Sequence, residues 1–175
     1  MKGLGQMSDL RAKIVSIEEA VVIVRRLREE GKRIVFTNGC FDILHSGHAL
    51  YLQEARKAGD FLIVAINSDS SVRQLKGEGR PIIPQMERAT LLAALESVDM
   101  VVIFDKADCI ELLDLLNPHV WVKGGDYTLD TLNQEERRLV ESRGGEIVLI
   151  PATPATSTTT IVERILGAGG EKGSR

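Results

Sequence analysis

The chain has 175 residues, 43% of them hydrophobic and 27% charged, which suits one globular domain that buries a core without metals or disulfides. A formal net charge of −3 excludes broad electrostatic binding of nucleic acid, so an anionic ligand would need a local cluster of donors. Two cysteines give no secreted disulfide framework, no apolar run reaches the roughly 18 residues needed to span a bilayer, and residues 1–10 lack the apolar core of a signal peptide. A reduced, cytoplasmic protein without membrane contact is expected.

Ser16 and Glu19 form a capping-box pattern, and Ile17, Ala20, Val21, Val24 and Leu27 follow at helical spacing until Gly31. Residues 33–37 are a short β-branched run, read as a buried strand. A helix is expected over 47–58, ended by Gly59, and a second buried strand over 61–66. Residues 67–84, with Gly77, Gly79, Pro81, Pro84, Arg73, Lys76 and Arg80, read as a basic loop with at most a short helix. Then come a helix at 85–96, a strand at 100–104, a helix at 108–116 and a strand at 120–122 that runs into Lys123-Gly124-Gly125-Asp126. A polar helix at 133–143, a strand at 146–150 and a closing helix at 157–166, with Ile161, Val162 and Ile165 inward, complete the series. Strands that are apolar throughout and alternate with helices predict an α/β, Rossmann-like, five-stranded parallel sheet covered on both faces. Ligands of such sheets bind beyond the carboxyl ends of the strands. One domain is assigned to 13–166, with 1–12 and 167–175 as flexible termini.

Four segments carry residues suited to phosphate chemistry. Asn38, Gly39, Cys40, Phe41 and Asp42 leave the first long strand and lead to His45-Ser46-Gly47-His48 at a helix start. Two imidazoles on one helix face, free amides and a glycine describe an anion site. The pattern matches no common zinc spacing, and Cys40 reads as a small buried thiol rather than a nucleophile. Arg73, Lys76, Arg80 and Arg88 form a cationic group able to close over a triphosphate, with Lys76 and Arg88 favoured. Gly124 and Gly125 permit close backbone approach of a base or ribose, and Asp126 offers a carboxylate. The hydroxyl run 156–160 exceeds what a helix cap needs, which points to phosphate contact by Ser157, Thr158 and Thr159.

The order of these motifs is more specific than any one of them. Gly39, His45-Ser46-Gly47-His48, Arg88, Gly124-Gly125-Asp126 and Ser157-Thr158-Thr159 resemble the His-x-Gly-His nucleotidyltransferase superfamily, which has a HUP-type Rossmann-like fold. The stretch 33–48, with Asn67-Ser68-Asp69, Leu75-Lys76-Gly77, Gly79-Arg80-Pro81, 122–127 and Ser157-Thr158-Thr159, is similar to the D-glycero-β-D-manno-heptose 1-phosphate adenylyltransferases across 13–166.

That resemblance implies ATP with Mg²⁺ and a sugar 1-phosphate as substrates, and ADP-heptose and pyrophosphate as products, for lipopolysaccharide core assembly. It also implies a homodimer. Many bacteria fuse this domain to a sugar kinase of the ribokinase type; none is present in these residues, so a stand-alone form with a separate heptose kinase upstream is expected. By resemblance, His45, His48, Lys76 and Arg88 are catalytic. Asn38, Gly39, Cys40, Phe41, Gly47, His48, Arg88, Lys123, Gly124, Asp126, Ser157, Thr158 and Thr159 hold the nucleotide. Asp42, Asn67, Asp69, Lys76 and Arg80 hold the acceptor. Some cytidylyltransferases of the superfamily carry an Arg just before Ser-Thr-Thr, and 151–155 has no cation. A transferase using CTP or another phosphate, and a non-catalytic nucleotide-binding module, are the rival readings.

Overall fold

A computed structural model describes residues 9–151 and 157–170. The apolar runs pair into one parallel six-stranded sheet in the order β1-β4-β3-β2-β5-β6. The strands are β1 (Ile14–Val15), β2 (Ile34–Gly39), β3 (Phe61–Asn67), β4 (Met100–Phe104), β5 (Val120–Gly124) and β6 (Glu146–Ile150). The expected five are joined by β1, a two-residue edge strand beside β4. It is too short to show any periodicity. The helices are α1 (Ile17–Glu29), α2 (Ser46–Arg56), α3 (Asp69–Lys76), α4 (Gln85–Ala93), α5 (Ile110–Leu116), α6 (Gln134–Ser142) and α7 (Thr158–Gly170).

The capping box at α1 is present in full, with Glu19 N donating to Ser16 Oγ and Ser16 N donating to Glu19 Oε2. The segment read as a basic loop holds α3, eight residues long, whose cap is Ser68 accepting from Ser71 N. Ser157 Oγ likewise accepts from Thr160 N at the start of α7. Ile165, expected inward, is 64% exposed. Of the termini read as flexible, residues 10–12 fall in a 3-10 turn and 167–170 in α7, while 1–8 and 171–175 lie outside the described residues.

Successive strand residues point to opposite faces, so two cores form. Ile34, Phe36, Ile63 and Trp121 pack under α1, α5 and α6. Val35, Leu62, Val64 and Val122 pack under α2 and α4. The chain moves outward from β2 to β3 to β4, then returns to the other side of β2 for β5. The strand order therefore switches between β2 and β5, which opens a crevice at their carboxyl ends. Among the described residues, no helix is long and apolar enough to cross a membrane.

Candidate active site

A cleft of about 780 Å³ lies at that switch point. Asn38, Gly39, Cys40, Phe41 and Asp42 line it from the exit of β2, and His45, Gly47, His48 and Tyr51 from α2. Asn67, Lys76 and Arg80 contribute from β3 and the α3 region, Lys123, Gly124 and Gly125 from β5, and Thr158 and Thr159 from α7. Five residues expected in the site do not line the cleft: Asp69, Arg73, Arg88, Asp126 and Ser157.

The chain leaves β2 through Phe41, whose φ of 47° is rare for a side chain of that size. This turn lays the Phe41 ring against Gly39 and 5.1 Å from His48. His45 is the N-cap of α2 and makes no side-chain capping bond. Its ring stacks on His48, with centroids 3.8 Å apart and planes 25° apart. The Nδ1 atoms of both are buried without a partner, so the proton sits better on Nε2, a donor for an anion at the helix start. Burial lowers the His48 pKa to about 4, helped by the charge His45 would carry, and burial also lowers that of His45. Both rings are neutral at pH 7. Bringing a polyanion to them reverses part of that shift.

Several expected ligand contacts are instead internal bonds. Asp42 is buried and accepts from Ile82 N (2.7 Å), Ile83 N (3.0 Å) and Arg80 Nη1 (2.8 Å). Burial opposes its charge, but the bonds from Ile83, Arg80 and Ile82 outweigh that and hold its pKa low. Asp42 thus fastens the 80–83 loop to the cleft rim. Arg88, expected on the triphosphate, is enclosed beneath the cleft. Its side chain has no exposed surface, and it donates to the carbonyls of Ile83, Cys40 and Asn67 and to Asp69 Oδ1. It is a strut beneath the site, and Asp69 is its counter-ion. Asn67 donates to Ser71 Oγ and Lys106 O, which joins β3 to the loop after β4.

Burial pushes the Cys40 thiol pKa up, against the pull of Lys76 and Arg88. A neutral thiol is no nucleophile at pH 7. Lys123 Nζ lies 3.2 Å from Asn38 Oδ1 and over the rings of Trp121 and Tyr127 at 5.4 and 5.1 Å. Gly124, expected to admit a ligand, admits Tyr51: a Cβ there would collide with its ring. The Tyr51 hydroxyl is bonded between Thr37 Oγ1 (2.6 Å) and Val122 O (3.1 Å), and burial raises its pKa. Gly125 has φ 110° with open space around it, so here the backbone itself requires glycine. Asp126 is exposed outside the cleft. Ser157 is occupied by capping, while Thr158 Oγ1 reaches Ile43 O at 3.5 Å and brings the start of α7 to the start of α2.

The cleft also holds Tyr51, Asp108, Asn133 and Glu136, which the sequence reading passed over. Tyr51 follows His48 by three residues on α2, a spacing that shares a face. Glu136 sits at an inward position of a polar helix, a signal visible only against the buried Val140 four residues on. His119 lies away from the site and accepts from Ile34 N at 2.9 Å. No group of three or more His, Cys, Asp or Glu among the described residues stands ready to cage a metal.

Residues 36–164 match the cytidylyltransferase-like family. The bifunctional protein HldE of Geobacter sulfurreducens is 50% identical over 161 residues, covering 92% of this chain and 32% of that protein. HldE of Syntrophotalea carbinolica is 54% identical over 139 residues, or 79% and 28%. The chain therefore spans about a third of the length of the curated relatives it matches. The lipopolysaccharide core biosynthesis protein from Thermoplasma volcanium superposes with TM-score 0.57 and 28% identity over 70% of this chain and 98% of that one. Pantoate-β-alanine ligase from Francisella tularensis superposes with TM-score 0.61 at 16% identity, over 81% of this chain and 68% of that one, a likeness of fold.

Proposed function

The chain belongs to the cytidylyltransferase-like family, and we propose that it transfers AMP from ATP to D-glycero-β-D-manno-heptose 1-phosphate and releases pyrophosphate. The observation that carries the transferase reading is the meeting of two helix starts, α2 and α7, at one cleft with a neutral stacked histidine pair. Such an arrangement offers donors to several phosphates without a fixed charge of its own. The heptose acceptor and adenine base are supported by the motif resemblance. The name of the Thermoplasma volcanium neighbour agrees with it.

A phosphate oxygen of the acceptor attacks the α-phosphorus of ATP, the new P–O bond forms, and the bond to the pyrophosphate oxygen breaks with its electron pair. The nucleophile is already ionised at pH 7, so no general base is required, and catalysis consists of positioning and charge stabilisation. His45 and His48 donate to the reacting phosphates. Lys76 and Lys123 offset the developing charge, and the amides and hydroxyls at Thr158 and Thr159 hold the departing end. Mg²⁺ bound to the triphosphate would neutralise part of its charge; among the described residues no group of three or more His, Cys, Asp or Glu stands ready to cage it.

A pyrophosphate-release screen of ATP, CTP and GTP against heptose, hexose and glycerol phosphates tests the reading. The expected result is turnover with ATP and the heptose 1-phosphate, lowered about 100-fold or more by His48→Ala. Preference for CTP, or release with no acceptor tried, overturns it.

A further inference from the structure

The strands that part at the switch point, β2 and β5, turn from core to cleft within two residues. Thr37 is paired with Val122, so Asn38 and Lys123 follow side by side. Successive residues alternate faces, so Asn38 stands beyond Phe36 and Lys123 beyond Trp121, on the face whose core holds both aromatic rings. Trp121 is wholly buried, yet its indole N–H donates to Asn38 Oδ1 at 3.3 Å, and Lys123 Nζ donates to the same oxygen at 3.2 Å. An indole N–H and an ammonium group are donors only, so together they fix which end of the Asn38 amide is the oxygen.

Lys123 is thus held by uncharged partners. The amide oxygen takes one of its three N–H groups, and the rings of Trp121 and Tyr127 lie 5.4 and 5.1 Å from Nζ. Aromatic faces and an amide dipole attract a cation without cancelling it. No carboxylate among the described residues pairs with Lys123. Lys76, the other cation of the cleft in that position, is exposed. A cation fixed before substrate arrives needs no reorganisation as charge develops, and that is what makes it effective. A carboxylate in place of the Asn38 amide would serve both donors equally well, but it would make an ion pair of Lys123. The amide gives the same geometry and leaves the charge for the ligand.

We propose that Asn38 is a positioning residue: with the Trp121 indole behind it, it fixes Lys123 Nζ at the switch point as a preorganised, uncancelled cation for the phosphates of the nucleotide. Asn38 acts through Lys123 and takes no part in bond making. The proposal rests on the transferase reading above, in which Lys123 offsets the developing charge.

A double-mutant cycle of Asn38→Ala and Lys123→Met in the full chain tests it, read by pyrophosphate release from ATP and heptose 1-phosphate, with thermal unfolding followed in parallel. Lys123→Met should lower kcat about 100-fold, and Asn38→Ala about tenfold, because the cation stays but loses its hold. In the Lys123→Met background, Asn38→Ala should change kcat by less than about twofold, since nothing is left to position. The Trp121 N–H loses its acceptor in Asn38→Ala, so Tm should fall in both backgrounds while kcat falls in only one. Asn38→Asp serves both donors and should unfold no earlier than wild type, yet lower kcat at least as far as Asn38→Ala. An equal loss of kcat from Asn38→Ala in both backgrounds, or wild-type kcat in Asn38→Asp, makes Asn38 merely structural and overturns the proposal. Unchanged kcat in Lys123→Met overturns it by removing the cation from the reaction. Failure of the wild-type chain to turn over any sugar 1-phosphate is a separate result, which overturns the transferase reading and the positioning role with it.

Discussion

Replacing Arg88 by Met decides between a phosphate ligand and a buried strut. Met fills similar volume and supplies no donor. The guanidinium, wholly enclosed, serves the Ile83, Cys40 and Asn67 carbonyls and Asp69 Oδ1. The Asn67 carbonyl ends β3, and the Cys40 carbonyl follows the last residue of β2. Asp69 is 28% exposed and regains water, but the carbonyls are left poorly solvated. Breaking a buried charge pair costs about 3–5 kcal/mol, and an orphaned buried acceptor about 1–3 kcal/mol. Partial rehydration of Asp69 places the total near the middle, about 4 kcal/mol. For a chain of this size that lowers Tm by roughly 10 °C. Urea and thermal unfolding by circular dichroism measure the loss, and calorimetric titration of ATP well below Tm measures binding. Unchanged Tm with ATP affinity weakened more than about tenfold refutes the strut and restores Arg88 to the triphosphate.

Two further outcomes follow from the same geometry. The folded-state pKa of His48, about 4, lies below its ordinary 6.5. Between those values the unfolded chain binds a proton that the folded chain does not, so stability falls as pH drops from 6.5 towards 4, by at most about 3 kcal/mol. Unfolding free energy measured across pH 4–7 should lose roughly one proton of slope in His48→Asn; an identical slope in both proteins removes the basis for a neutral, half-buried His48. Gly124→Ala should cost about 1–3 kcal/mol by driving a methyl into the held Tyr51 ring. A variant as stable as wild type would show that the ring moves freely.

How far the sequence carried the fold depends on element length. Runs such as Phe61–Asn67 are apolar throughout and bounded by turns, so their strand character and burial on both faces were legible. Helix α3 was legible only as at most a short helix, because it is mostly polar and buries only Ser71 and Val72, and its stability comes from the Ser68 cap and a tertiary seat, with Ser71 Oγ donating to Lys106 O. Residue types in the site were legible in the same partial way. Arg88, Asp69, Asn67 and Gly124 have the chemistry of ligand contacts, but each answers a demand of the fold itself: strand-end carbonyls need donors, a buried cation needs an anion, and a tyrosine ring needs room. Those demands arise only when the strand ends are brought together, so spacing along the chain cannot show them.

The same demands sharpen the electrostatics of the site. Once Arg88 is committed to Asp69 and Arg80 to Asp42, the cations that line the cleft and pair with no carboxylate among the described residues are Lys76 and Lys123. Two lysines alone would not offset the triphosphate and sugar phosphate of the proposed reaction. Part of the remainder falls to neutral donors: the imidazoles, the first amides of α2 and α7, and the hydroxyls of Thr158 and Thr159. A site built this way has little charge to desolvate before substrate arrives, which accords with a His48 held neutral by burial. It also makes binding of the polyanion and protonation of the histidine pair mutually reinforcing, so ATP should bind more tightly as pH falls from 8 to 6 and take up protons on binding.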